Sequence, residues 1–107
     1  MKLVTTPDER RGMEKGILHH LINEEEIKHM RFFSHVTMRK GEVVDYHIHE
    51  GEYEIYYIIS GEGIYTYNNE ETVVSKGAVT YCPSGDSHGI KNVSDTPLEF
   101  VAVIVVE

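Results

Sequence analysis

GEVVDYHIHEGEYEIYYIISG, residues Gly41–Gly61, is the stretch on which the fold turns. Val43–Ile48 alternates in the manner of a half-buried strand. Glu54–Ile59 (EIYYII) is β-branched and aromatic and reads as a second strand. Glu50-Gly51-Glu52-Tyr53 is the turn between them. His47 and His49 stand two apart, and a period of two puts both imidazoles on one face. A hairpin folds the Glu54 carboxylate back against that pair.

Downstream, the same grammar repeats. Ser60-Gly61-Glu62-Gly63 turns, Ile64–Tyr67 is a strand, and Asn68-Asn69-Glu70-Glu71 is a hairpin turn. Thr72–Val74 and Ala78–Cys82 are short strands, the second closed by Pro83-Ser84-Gly85. Ile90–Val93 continues, Ser94–Pro97 turns, and Leu98–Val106 (LEFVAVIVV) is the most apolar strand. Upstream, Ile27–Met38 mixes aromatic and β-branched residues and reads as a strand, after the short apolar run Ile17–Ile22. A helix across 13–31 competes there, because Glu, Lys, Leu and Met are good helix formers. Residues 1–16, polar and carrying Pro7, Gly12 and Gly16, read as an N-terminal arm. Eight to ten short strands without a convincing helix predict one all-β domain, a sandwich or barrel, over residues 17–107.

Composition narrows the function. The chain has 107 residues, enough for one core. Its formal net charge is −8. Residues 1–40 carry eight Lys/Arg and six Asp/Glu; residues 41–107 carry two Lys and twelve acids. An acidic body repels phosphate backbones, which argues against nucleic acid as a partner. No apolar run approaches the ~20 residues of a membrane helix, and no signal peptide opens the chain. The expected location is the cytoplasm. The single cysteine, Cys82, excludes an intrachain disulfide and a four-cysteine zinc site. No basic residue lies near it in sequence, so an inert buried thiol is expected.

The chemistry gathers in two places. His47, His49 and Glu54 form one, and His88, just beyond the Pro83-Ser84-Gly85 corner, is the other. Three neutral imidazoles and a carboxylate converging inside a small barrel would suit a divalent first-row ion. Spacing alone makes this a candidate, since a single histidine is more often a hydrogen-bonded structural residue. His19, His20, His29 and His35 are left in that structural role.

Two motifs give these residues a family. Gly41-x5-His47-x-His49-x4-Glu54-x6-Gly61 and Gly77-x5-Pro83-x-Gly85-x2-His88-x3-Asn92 resemble the two motifs of the cupin superfamily at every defined position. Flanking strands extend the resemblance to most of the chain. It implies a double-stranded β-helix, a conical jelly-roll β-barrel. It implies His47, His49, Glu54 and His88 as metal ligands, with Mn, Fe, Ni, Co or Zn as the ion. It also implies a homodimer, for which outward Tyr53 and Tyr57 offer apolar area.

Around the site, seven tyrosines stand out. If Glu54 points inward, so do Tyr56 and Ile58, while Tyr53, Ile55 and Tyr57 face outward. The plain reading is that tyrosines pack the wall. The functional one is that some line the mouth and bond a polar substrate, Tyr56 first and Tyr81 second, then Tyr65 and Tyr67. Asn92 serves a loop or, in the alternative, a ligand. No arginine lies within residues 41–107, which argues against a substrate with several carboxylates.

Three function classes follow. The first is a metalloenzyme acting on a small oxygen-bearing molecule, dioxygenase-like by family analogy, with isomerase or lyase chemistry as variants. The second is a sugar- or small-molecule-binding module. The third is a barrel with a purely structural metal.

Overall fold

The computed structural model describes residues 8–12, 16–20 and 28–107, the first two segments through their backbone alone. Ten strands follow one another: β1 (Asp8–Gly12), β2 (Gly16–His20), β3 (Met30–Met38), β4 (Val43–Ile48) and β5 (Glu52–Ser60), then β6 (Glu62–Tyr67), β7 (Glu70–Ser75), β8 (Val79–Cys82), β9 (Ser87–Lys91) and β10 (Leu98–Val106). They form two antiparallel sheets, β1-β2-β3-β10-β5-β8 and β4-β9-β6-β7. This is the all-β architecture expected from the alternation, and it fits the jelly roll that the resemblance implies. No helix among the described residues is long and apolar enough to cross a membrane.

Upstream, the competing helix over 13–31 is overturned where the structure describes it. Gly16–His20 and the chain from Met30 are strand. Residues 13–15 and 21–27 lie outside the described residues. The β1–β2 hairpin crosses the boundary expected between arm and barrel, with Gly12 opposite Gly16. The run DERRG carries no apolar alternation to announce a strand.

Burial follows the period of two. Along β10, Leu98, Phe100, Ala102 and Ile104 face inward, and along β5, Glu54, Tyr56 and Ile58 do. Met38, Ile58, Ile90, Leu98 and Phe100 are fully enclosed and form the apolar core between the sheets. Burying each such side chain contributes roughly 1.5–3 kcal/mol. The β6–β7 hairpin closes through Asn68-Asn69, both with positive φ, as a two-residue turn requires.

Two glycines have steric causes. Gly61 (φ +79°) lies so close to Pro97 that a Cβ would sit 2.2 Å from its carbonyl oxygen. Gly89 faces a bulge in β4, and a Cβ there would come within 2.9 Å of the Val44 carbonyl oxygen. That bulge is the extra residue that separates the pair Val44–Ile90 from the pair His47–His88. It sets the register that brings the two histidines opposite each other.

Candidate metal centre

His47 comes from β4 and His49 from the residue just past its end, Glu54 from β5 and His88 from β9. The corner before β9 clasps the ligand hairpin. Gly85 N–H donates to the His49 carbonyl (2.7 Å), His49 N–H donates to the Asp86 carbonyl (3.1 Å), and Gly51 N–H donates to Ser84 Oγ (2.9 Å). The two motifs are thereby joined largely through backbone, and the side chains they carry converge. One ligand atom from each of the four residues lies within 4.8 Å of the others.

The hydrogen bonds around the cluster fix which atoms face its centre. His47 Nδ1 lies 2.6 Å from the Asp45 carbonyl, which can only accept, so Nδ1 carries the proton. His49 Nδ1 lies 2.8 Å from Glu52 Oε1 and donates for the same reason. His88 Nδ1 meets the Tyr65 hydroxyl at 2.8 Å. With Nδ1 donating, the neutral form of His47 and of His49 turns a bare Nε2 inward. His49 Nε2 stands 3.0 Å from His47 Nε2, 2.9 Å from His88 Nε2 and 3.0 Å from Glu54 Oε1. His88 Nε2 stands 2.8 Å from the same Glu54 oxygen. His49, Glu54 and His88 are buried. Acceptors crowded against acceptors are unfavourable without a proton or cation between them. The donor set, three imidazole nitrogens and a carboxylate oxygen, fits a divalent first-row ion, and each imidazole has the outer partner such a ligand needs.

A cavity of about 340 Å³ opens onto this cluster. His47, His49, Glu54 and Tyr56 line it together with Asp45, Glu52 and Arg31, and Phe32, Val36 and Phe100 supply apolar wall. The Arg31 guanidinium forks onto Glu52, Nε to Oε2 at 2.7 Å and Nη2 to Oε1 at 3.0 Å. That fork holds the Glu52 carboxyl below its ordinary range against the cost of burial, and His49 adds to it.

The tyrosines divide. Tyr56 lines the cavity and stacks on His88 with ring centroids 5.1 Å apart. Burial, with Glu54 beside it, pushes its phenol well above the ordinary value. Tyr65 is the outer partner of His88, and burial raises its phenol too. Tyr67 bonds Asp86, which together with burial pushes its phenol up to about 12. Tyr81 is not part of the site. It stands on the outer face, 54% exposed, stacked on Tyr53 at 6.5 Å. The Glu54–Cys82 pairing turns Cys82 and Thr80 inward and sends Tyr81 out. Asn92 is also away from the cavity. It is fully buried, donates Nδ2 to the Met38 and Thr96 carbonyls, and accepts from Ser94 N–H. Cys82 is buried, and burial pushes its thiol up to about 11.

The charged lining residues Arg31, Asp45 and Glu52 were not foreseen. The absence of arginine from 41–107 argued against several carboxylates, yet Arg31 enters the cavity from β3. The geometry removes the premise of that expectation, a cavity without arginine. Only a search of the strand that pairs with β10 would have found this residue.

Known proteins agree with this architecture. A family model for the cupin domain matches residues 34–104. An oxalate-binding protein of Thermotoga maritima is 39% identical over 97 residues, 90% of this chain and 80% of that protein. The crystal structure of a predicted oxalate decarboxylase of Thermotoga maritima superposes with a TM-score of 0.83 at 38% identity, covering 95% of this chain and 93% of that one. A Thermus thermophilus structure, at 24% identity and a TM-score of 0.77 over 91% of this chain and 89% of that one, shares the fold. The matched span contains all four convergent residues, and the chain belongs to the cupin domain family.

Proposed function

We propose that this protein holds one divalent transition-metal ion on His47, His49, Glu54 and His88 and uses the site to bind a small dicarboxylate of the oxalate type. The observation that carries the reading is the convergence of four candidate ligand atoms, three of whose residues, His47, His49 and Glu54, line a small cavity that also presents a guanidinium. About 340 Å³ lies at the lower end of ligand-pocket volumes, which favours a ligand of a few heavy atoms. A relative named for oxalate binding supports the same ligand class. When bound, a divalent ion supplies a Lewis acid that attracts carboxylate oxygens.

Binding is favoured over decarboxylation by the state of Glu52. Cleaving oxalate to formate and carbon dioxide consumes one proton. Both Glu52 oxygens accept from Arg31, and one also accepts from His49, so this carboxylate has no proton to give. Glu54 is a ligand. The phenols of Tyr56 and Tyr65 are the remaining acids at the cluster, and burial raises both. Dioxygenase-like chemistry, the first expectation from the motifs, stands behind this reading, because both named Thermotoga relatives point to oxalate. A purely structural ion is disfavoured because three of the four residues, His47, His49 and Glu54, line a cavity.

Calorimetric titration of the manganese-loaded, untagged protein with oxalate tests the proposal. Saturable binding at one oxalate per chain, absent from the metal-free protein, is the expected result. Equal binding with and without metal would overturn it. Formate release measured on the same sample separates a binder from a decarboxylase.

The reading includes a homodimer in the cytoplasm. Ile55, Tyr57, Val79 and Tyr81 are exposed on adjacent strands, with Ile55 paired to Tyr81 and Tyr57 to Val79. This contiguous apolar face is of the kind that pairs with a second copy. Light scattering should give twice the chain mass, and Tyr57→Arg should give the monomer.

A further inference from the structure

We infer that Arg31 is the carboxylate-recognition residue of this cavity, taking the end of an anionic ligand that points away from the histidine cluster. The inference rests on the dicarboxylate reading above and names the residue that would give it selectivity.

Local geometry singles out this side chain. On β3, Ser34, Val36 and Met38 are buried, so strict alternation would send Arg31 outward with Phe33 and His35. The strand does not keep strict alternation. Ile104 pairs with Phe32 and Val105 pairs with Met30, which leaves Arg31 as the extra residue of a β-bulge. Bulges re-aim side chains, and this one sends Arg31 across β10 to Glu52 on β5. The guanidinium reaches the cavity wall although its residue lies outside both motif segments.

Charge points the same way. The cavity lining carries three carboxylates, Asp45, Glu52 and Glu54. Arg31 is the only Lys or Arg lining it among the described residues. A divalent ion and Arg31 together bring the lining to formal neutrality, whereas an ion alone leaves it negative. A dianion entering an acidic wall therefore depends on the guanidinium.

Posture adds to both. The Glu52 fork fixes the plane of the guanidinium. A planar, fixed guanidinium recognises a carboxylate far better than a mobile ammonium.

Arg31 could instead only brace Glu52 and, through it, His49. The two roles part in measurement. Manganese affinity reads the brace, and oxalate affinity at saturating manganese reads recognition. Imidazole, a neutral metal ligand, serves as the control. For Arg31→Gln we expect oxalate affinity to fall about ten- to a hundred-fold. Manganese affinity should stay within about threefold and imidazole binding within about twofold. Arg31→Lys keeps the charge, loses the fork and should fall between wild type and Arg31→Gln, which also guards against a folding defect in one variant. Unchanged oxalate affinity in Arg31→Gln overturns the inference. So does a fall in manganese affinity that matches the fall for oxalate, which assigns the brace alone. A wild-type protein that binds manganese and imidazole but not oxalate overturns the dicarboxylate reading itself, a distinct result.

Discussion

His88 and Asn92 lie four residues apart, both fully buried, at opposite ends of the same run of chain. Asn92 uses its polar atoms inside the protein. Its amide ties Met38, Ser94 and Thr96, and its backbone pairs with Gly41 and Glu42. Leu98, Ile58 and Met38 pack that end shut, and Pro97 presses on Gly61. His88 leaves its inner nitrogen facing other acceptors, His49 Nε2 and Glu54 Oε1. The contrast separates a structural buried polar group from a ligand. The structural one spends its polar atoms on backbone, and the other turns its inner nitrogen toward the donor atoms of the cluster.

The largest losses of stability are expected at the closed end. Asn92→Ala takes a hydrogen-bond partner from the buried Met38 carbonyl, the Thr96 carbonyl and the Ser94 N–H, and should cost about 3 kcal/mol or more of unfolding free energy in urea. Gly61→Ala should cost a similar amount, because a Cβ would clash with Pro97 and the φ is left-handed. A loss below about 1 kcal/mol in both, the usual net worth of a single hydrogen bond, would show that this end does not staple the fold.

At the open end the readout changes from stability to metal. His49→Ala should lower manganese affinity more than about a hundredfold, beyond the usual cost of losing an outer partner. The metal-free protein should keep most of its urea stability. Tyr65→Phe removes the partner of His88 Nδ1 and should lower manganese affinity about tenfold, with a small change in unfolding. Equal effects of Tyr65→Phe and His49→Ala would erase the distinction between ligand and support.

The smallest effect concerns Cys82, which sits between the two ends. Its thiol is raised to about 11 by burial, so the native protein should hold it protonated at pH 8. A disulfide reagent at that pH should label it only after denaturant is added. Prompt labelling of the native protein would place Cys82 in an open part of the structure.

How far the sequence could be read differs from residue to residue. The ligand set is legible because a period of two, a turn and a corner are local facts, and the two motifs carry their spacing with them. The faces of Tyr56 and Tyr57 follow from Glu54 alone. Tyr81 does not, because the sequence says only that Val79 and Tyr81 share a face. Which face is inner depends on the pairing of Glu54 with Cys82, a contact 28 residues away. Arg31 was illegible for a related reason. Its direction is set by a bulge against Val105, on a strand more than seventy residues downstream. Local alternation points it away from the cavity it enters.

Whether the four-residue cluster is a metal centre is decided by the metal content of untagged protein purified without chelator, measured beside His49→Ala. One equivalent of a divalent transition metal per wild-type chain is expected, and less than about a tenth of that in the variant, in line with the loss of a ligand rather than of an outer partner. Equal content in the two proteins, or none in the wild type after exposure to manganese, iron, cobalt, nickel and zinc, would contradict it.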